Sequence, residues 1–321
     1  MKLSIIIVNY NTTWHLVNCL ESIVKFINRN DFEIIVVDNN STELLPDDLE
    51  TRFNALKIIR IDKNLGFGSA NNIGIKQAQG DYVLFINPDV SITDGSVKIL
   101  IDYMEVNNDT AVVAPVLYKP NGELDYYYTF LPSFYSVLMI QISRYNDAKL
   151  MKQRMFRYLD YKVSMNKPFN VQQVMGACML TRKSVLDSVG GFDEAFFLYQ
   201  EETDWQLRVS KKGWKIMMIP QAKVIHYHHA STEKIGKNFI SFHWFRSLIL
   251  YYVKNFNFLS RTILRITMMF ALIARGIKYT VIYFNNKKQL KDIIKMLFKL
   301  LKLNLTSRQK IMKCRYIFNV N

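Results

Sequence analysis

Three carboxylates stand within four residues in the stretch YQEETDWQLR: Glu201, Glu202 and Asp204. Acids in a first helical turn complement the helix dipole, which explains part of the crowding. Neighbouring carboxylates also repel one another, and this raises the pKa of one member toward the range of a general base. The Glu-x-x-Asp spacing sets Glu201 and Asp204 on one helix face. Elsewhere single acids close apolar runs: Asp38 ends FEIIVVD, and Asp89 follows YVLFINP. A carboxylate at the position of Asp38 accepts from a donor such as a pyrimidine N–H. Asn64, Gly66 and Asn72 gather around a helix start in KNLGFGSANNIG. Gly66-x-Gly68 does not complete a dinucleotide fingerprint, because Asn71 holds the place of the third glycine.

The elements that must carry these residues read as alternating strands and helices over 1–115. LSIIIVN, FEIIVVD, ALKIIRID and YVLFIN have the continuous Val/Ile/Leu character of strands buried on both faces. Helical spacing follows in 13–27 after the capping candidate Thr12, and GSANNIGIKQAQG reads as a helix closed by Gly80. The fold class is therefore α/β with a mainly parallel central sheet. Ligands of such sheets sit beyond the carboxyl ends of the strands, which is where Asn9, Asp38 and Asp89 fall. Residues 116–170, rich in Tyr and Phe, read as a connecting hairpin and mobile or acceptor-facing segments. VMGACMLT then reads as a strand, KSVLDSV as a helix, 201–212 as a helix, and WKIMMIP and AKVIHYHH as two further strands.

Composition narrows the class. Half of the 321 residues are hydrophobic, which excludes a disordered chain, and three scattered cysteines give no disulfide framework. The apolar run at the N-terminus is too short for a signal peptide, so a cytoplasmic location is expected. The net charge of +15 is unevenly placed: from Lys234 onward there are 18 Lys/Arg against one acid, Asp292, and the rest is nearly neutral. In that tail Lys288, Lys291, Lys295, Lys299 and Lys302 recur on one side of a helix, with Leu290, Ile293, Ile294, Leu297, Phe298 and Leu301 on the other. The pattern is that of a helix on an anionic membrane surface. Arg265, Arg275 and Lys278 interrupt the longer apolar stretch, so it is expected to lie in the interface rather than to span. The cations sit on an apolar tail, so nucleic acid is not an expected partner.

Taken in order, IIIVNYN, IIVVDNNS, NLGFGSANNIG, FINPDV, GACMLTRKSVLDSVGGFDEAFFLYQEETDWQLRVSKKGW and KVIHYHHAS resemble family 2 glycosyltransferases, most closely the rhamnosyltransferase-like branch of bacterial surface-polysaccharide assembly. The resemblance covers about residues 1–255. It implies the GT-A fold, with a nucleotide-sugar-binding half (1–115), an acceptor-side half (116–235) and a basic helical region (236–321). It implies transfer of rhamnose or another hexose, with inversion, from a dTDP- or UDP-sugar to a glycan or polyprenyl-diphosphate-linked acceptor. The place implied is the inner face of the cell membrane, held peripherally. Asp89 takes the family's metal-binding position for Mg²⁺ or Mn²⁺, with Asn87 where an acid often stands, and His226 matches a histidine near the diphosphate or metal. His228 and His229 follow where the family often has glycines. Glu201-Glu202 takes the place of the family's Glu-Asp base pair, with Asp204 a second candidate. Asn9, Asn11, Asp38, Asn64, Gly66, Asn72 and Asn87 would face the donor. Gly176 and Asp193 fall in acceptor-side loops, where Trp205 would stack on a sugar; core packing is the better reading of Trp214. A sugar-nucleotide-binding module without catalysis is the alternative, prompted by Asn87 and Glu202.

Overall fold

The computed structural model describes residues 2–27, 31–127, 129–142, 145–227, 237–282 and 286–306. His228, His229 and the basic residues beyond 306 lie outside them. In chain order the strands are β1 (Leu3–Asn9), β2 (Phe32–Asp38), β3 (Leu56–Arg60), β4 (Tyr82–Ile86), β5 (Val90–Ile92), β6 (Thr110–Tyr118), β7 (Phe169–Asn170), β8 (Cys178–Arg182) and β9 (Lys215–His226). The helices are α1 (Thr13–Phe26), α2 (Leu49–Arg52), α3 (Phe67–Gln77), α4 (Ser96–Val106), α5 (Phe134–Ile142), α6 (Tyr145–Ser164), α7 (Lys183–Val189), α8 (Glu201–Lys211), α9 (Lys237–Asn255), α10 (Phe258–Ile282) and α11 (Lys287–Leu305).

Two compact units divide the chain. The first comprises 1–131, 155–194 and 201–234; the second comprises 132–154, 195–200 and 235–321. Residues 132–154 and 195–200, from the stretch expected to form the acceptor-side half, thus group with the tail.

The first unit is built on one sheet of order β3-β2-β1-β4-β8-β6-β9-β5, with β7 paired to β9. β3, β2, β1 and β4 run parallel. β8 is antiparallel to both β4 and β6, and β6 pairs parallel with β9. Every residue of β1 and β4 is buried, and each fully buried Ile or Leu there contributes about 1.5–3 kcal/mol. The parallel register sets Asn9 opposite Asp38, so both leave the sheet at the same edge.

Several local expectations change. α3 ends at Gln77, before Gly80. Gly80 instead lies against β1, where a Cβ would come 2.6 Å from Ser4 N and 2.7 Å from the Leu3 carbonyl carbon. WKIMMIP and AKVIHYHH contribute to a single strand, β9, whose register against β6 shifts between Pro115 and Val116. In 116–170, the Tyr118–Leu124 bridge supplies a hairpin-like closure, but two helices follow, α5 and α6. FYSVLMIQI of α5 is apolar almost throughout and so shows no stripe, and in α6 tyrosines and basic residues interrupt the apolar positions. Thr12 does sit at the N-cap of α1, yet its hydroxyl donates to Asn9 Oδ1 rather than capping the helix.

The regular elements among the described residues of the second unit are helices. On α9, His243 is buried with ring centroids 4.3 Å from Phe239, 4.6 Å from Phe197 and 5.2 Å from Phe242. Burial, with Arg246 nearby, pushes its pKa down to about 3. Tyr252 donates to Asn304 Oδ1 at 2.5 Å, and Asn304 Nδ2 donates to the Arg265 carbonyl at 2.7 Å, tying α9, α10 and α11 together. No described helix is long and apolar enough to cross a membrane.

Candidate active site

The first cluster forms where β1 and β2 end. Asn9 is fully buried and its Nδ2 donates to Asp38 Oδ1 at 2.9 Å and to Ser41 Oγ at 3.1 Å. Ser41 Oγ also donates to Asp38 Oδ1. Two of these bonds converge on one carboxylate oxygen and, with the Asn9–Ser41 bond bracing them, fix the direction of Asp38, a rigid acceptor at the sheet edge. Asn11, at φ 56°, turns the chain and its Oδ1 accepts from Thr42 N at 2.7 Å and Glu43 N at 3.1 Å. Asn64 Oδ1 accepts from Gly66 N at 2.9 Å and from Asn39 Nδ2 at 3.0 Å, while Asn39 Oδ1 accepts from Leu65 N at 2.9 Å. Gly66, at φ 83°, makes the turn into α3. The side chains of Asn11 and Asn64 thus shape loops around the cluster.

The second cluster answers what a buried strand does with one acid at its end. Asp89 follows β4 and is 8% exposed. β5 pairs with β9 so that Val90 faces His226, and Tyr227 N donates to the Asp89 carbonyl at 2.8 Å. His226 Nε2 stands 3.5 Å from Asp89 Oδ1, and Nδ1 is 2.8 Å from Asp125 Oδ2. Burial opposes a charge on His226, but the two carboxylates outweigh it and raise its pKa to about 9. Burial likewise opposes ionisation of Asp89, and the His226 contact outweighs it, holding the carboxyl below the usual range. Beside them, Asn87 Oδ1 is buried with no hydrogen-bond partner. Among the described residues no group of three or more His, Cys, Asp and Glu side chains is arranged to hold a metal.

The acids of α8 separate into different environments. Glu202 is half-buried beside Gly176, and burial raises its carboxyl above the ordinary range against the pull of backbone N–H groups. Glu201 is buried against Gly68. Asp204 is fully buried and accepts from Arg208 Nε at 3.1 Å. Arg208 in turn donates to the carbonyls of Val189 at 2.8 Å and Gly191 at 2.6 Å. Trp205 corrects the expectation of a sugar platform: its indole is fully buried in the core, 5.7 Å from the Phe192 ring, and donates to the Gly190 carbonyl at 2.8 Å. No face remains for an acceptor.

Asn72 also looks inward. Its Oδ1 accepts from Phe192 N at 2.9 Å and its Nδ2 donates to the Phe192 carbonyl at 2.8 Å. Asn72, Trp205 and Arg208 therefore clamp 189–192 from α3 and α8, immediately before half-buried Asp193. Gln206 makes a matching pair with Val174, at 2.7 and 2.8 Å, which ties α8 to the segment carrying Gly176. Asp125, Asn39, Ser41 and Arg208 were not singled out by the sequence. Asp125 sits in ELDYYYTF with no spacing that sets it apart; only the pairing of β9 brings His226 to it.

Residues 4–190 match the family described as Glycosyl transferase family 2. The chain is 26% identical over 254 residues to N-acetylglucosaminyl-diphospho-decaprenol L-rhamnosyltransferase of Mycobacterium tuberculosis, covering 75% of this chain and 81% of that one. It is 28% identical over 232 residues to rhamnosyltransferase WbbL of Escherichia coli, covering 68% and 83%. The fold is shared with the mannosyltransferase PcManGT of Pyrobaculum calidifontis, solved in complex with GDP-Man and Mn²⁺, at TM-score 0.53 and 14% identity over 94% of this chain and 85% of that one. With its α/β sheet, strand-end carboxylates and matched motifs, the chain belongs to glycosyl transferase family 2.

Proposed function

We propose that this protein transfers a hexose, rhamnose or another, from a nucleoside-diphosphate donor to a lipid-linked glycan with inversion at the anomeric carbon, in cell-surface polysaccharide assembly. Asp38, fixed by Asn9 and Ser41, accepts from the nucleobase N–H. The observation that carries the reading is the set Asn87, Asp89 and His226 at the sheet edge, with Asp125 behind the histidine. An unpartnered buried amide oxygen, a carboxylate and an imidazole form a donor set that fits Mg²⁺ or Mn²⁺, and oxygens of the donor diphosphate would complete it. When bound, such an ion offsets the charge that develops on the leaving nucleoside diphosphate. Asp125 orients His226 so that Nε2 points toward Asp89.

Glu202 acts as the base. It takes the proton from the acceptor hydroxyl as that oxygen bonds to the anomeric carbon and the bond to the diphosphate breaks. The raised carboxyl favours proton uptake by Glu202, whereas Asp204 is fully buried and committed to Arg208. The Gly176 segment, which lies against Glu202, and the clamped loop before Asp193 belong to the acceptor side in this reading.

The test is thermal stabilisation by UDP, dTDP and GDP, each with and without Mn²⁺, for the wild type and Asp89→Ala. One nucleotide should give a metal-dependent shift that the variant loses, and that nucleotide's sugars are then assayed for transfer. An equal shift in Asp89→Ala would remove Asp89 from the metal site.

A further inference from the structure

Helix α10 is apolar on two opposite faces. Leu264, Met268 and Leu272 are buried within the second unit. On the other side Ile266, Phe270, Ile273, Ile277 and Val281 recur at steps of three and four and are all exposed, Phe270 at 61% and Val281 at 74%. With Leu259 about two turns earlier, this stripe runs about 33 Å at ~1.5 Å per residue. A continuous exposed row of large apolar side chains marks an interaction surface. Helix α11 repeats the arrangement at smaller scale. Its Ile293, Leu297, Leu300 and Leu303 are buried, whereas Ile294, at 46%, and Phe298, at 69%, are exposed beside Lys291, Lys295 and Lys302. The apolar side read from the sequence thus splits into a packed face and an exposed edge that adjoins the lysines.

We infer that the second unit docks on an anionic lipid bilayer, with the Ile266–Val281 stripe of α10 and the Ile294/Phe298 edge of α11 in the acyl boundary and the α11 lysines against the headgroups. The inference rests on the proposed function only in that a lipid-carried acceptor would be met at that surface. Charge selects this occupant. From Lys234 onward the chain has 18 basic residues and one acid, so a second copy would bring like charge against like, whereas an anionic surface attracts the whole region. No described helix is long and apolar enough to span, which leaves the in-plane geometry of an interfacial helix.

The experiment is flotation of the full chain with phosphatidylcholine vesicles, with and without phosphatidylglycerol. The wild type should float with the anionic vesicles, less so as salt rises. Phe270→Glu/Ile277→Glu should abolish flotation. Lys291→Gln/Lys295→Gln/Lys302→Gln should weaken it on the order of a hundredfold, from roughly a factor of five per lysine at the surface, and flatten its salt dependence. Circular dichroism and the nucleotide-induced thermal shift check that each variant is folded; if the double variant is not, the lysine variant decides. Flotation unchanged in a folded variant overturns the inference. So does a wild-type dimer, seen by light scattering, that Phe270→Glu/Ile277→Glu turns into monomer. Vesicle binding without any nucleotide response would instead count against the catalytic reading and leave the docking surface standing.

Discussion

Gly191→Ala probes the clamp that Asn72, Trp205 and Arg208 make on 189–192. A Cβ at this position would stand 2.3 Å from Asn72 Oδ1 and 3.2 Å from its Cγ. The backbone of Gly191 lies outside the left-handed region, so alanine suits it and the collision is the source of the cost. The Asn72 amide must retreat, and it makes both hydrogen bonds to Phe192, at 2.9 and 2.8 Å. Two bonds at about 0.5–1.5 kcal/mol each, with partly buried backbone groups left unpaired, put the loss at roughly 2–4 kcal/mol. Urea unfolding should show a lower midpoint at unchanged slope. Asn72→Ala deletes the same two bonds, so Gly191→Ala/Asn72→Ala should cost little more than Asn72→Ala alone, a strongly non-additive cycle. A loss under about 0.5 kcal/mol, or additive single effects, would refute the clamp.

Further outcomes follow from the geometry. Asp125→Ala should weaken Mn²⁺ binding in the presence of UDP by about 10–100-fold, read by electron paramagnetic resonance of free Mn²⁺, with Asp125→Asn weakening it less; equal affinity in all three proteins contradicts an orienting role. Glu202→Gln should lose transfer by at least about 10²–10⁴-fold while keeping the nucleotide thermal shift. In the wild type, kcat/KM should fall as pH drops through the pKa of Glu202, at a pH above the ordinary glutamate value because burial raises it; a rising limb at or below that value argues for another base. Asp204→Ala leaves Arg208 without its carboxylate and should cost about 3–5 kcal/mol in unfolding experiments. His243 is neutral in the fold and binds a proton only in the unfolded chain over pH 3 to 6.5. Its contribution is therefore complete above pH 6.5 and lost as pH falls, about 2 kcal/mol by pH 5; His243→Phe should lose less stability between pH 7 and 5 than the wild type.

The strand-and-helix order of the first half was legible because β1, β2 and β4 are short continuous apolar runs rich in β-branched residues and bounded by turn residues, as in a sheet covered on both faces. Their ends followed, and with them Asp38 and Asp89. What periodicity cannot convey is pairing. The antiparallel insertion of β8 between β4 and β6 is a tertiary choice, and it was invisible in VMGACMLT. Trp205 looked like a stacking platform because an aromatic beside acids has the same letters whether it faces solvent or core. Asp125 had no local mark at all, since its partner arrives 101 positions later. The helical tail was plain from its spacing, but which apolar residues of α11 are packed and which are exposed depends on where α9 and α10 lie.

That late arrival bears on how the protein comes off the ribosome. Asp38, Asn9 and the parallel β1–β4 core emerge first and can pair among themselves, so the surface proposed to bind the nucleobase has its parts early. β9 is the last strand of the sheet, and its partners β5, β6 and β7 are all synthesised before it. Until it docks, Asp125 and Asp89 both lack their histidine partner, and the edges of β5 and β6 that β9 pairs with remain open. Pairings of such sequence separation form slowly and leave unpaired strand edges exposed meanwhile. A nascent or truncated chain ending short of Lys215 would therefore carry Asp38, Asp89 and Glu202 but not His226, and with its strand edges open would be a target for aggregation and quality-control proteolysis.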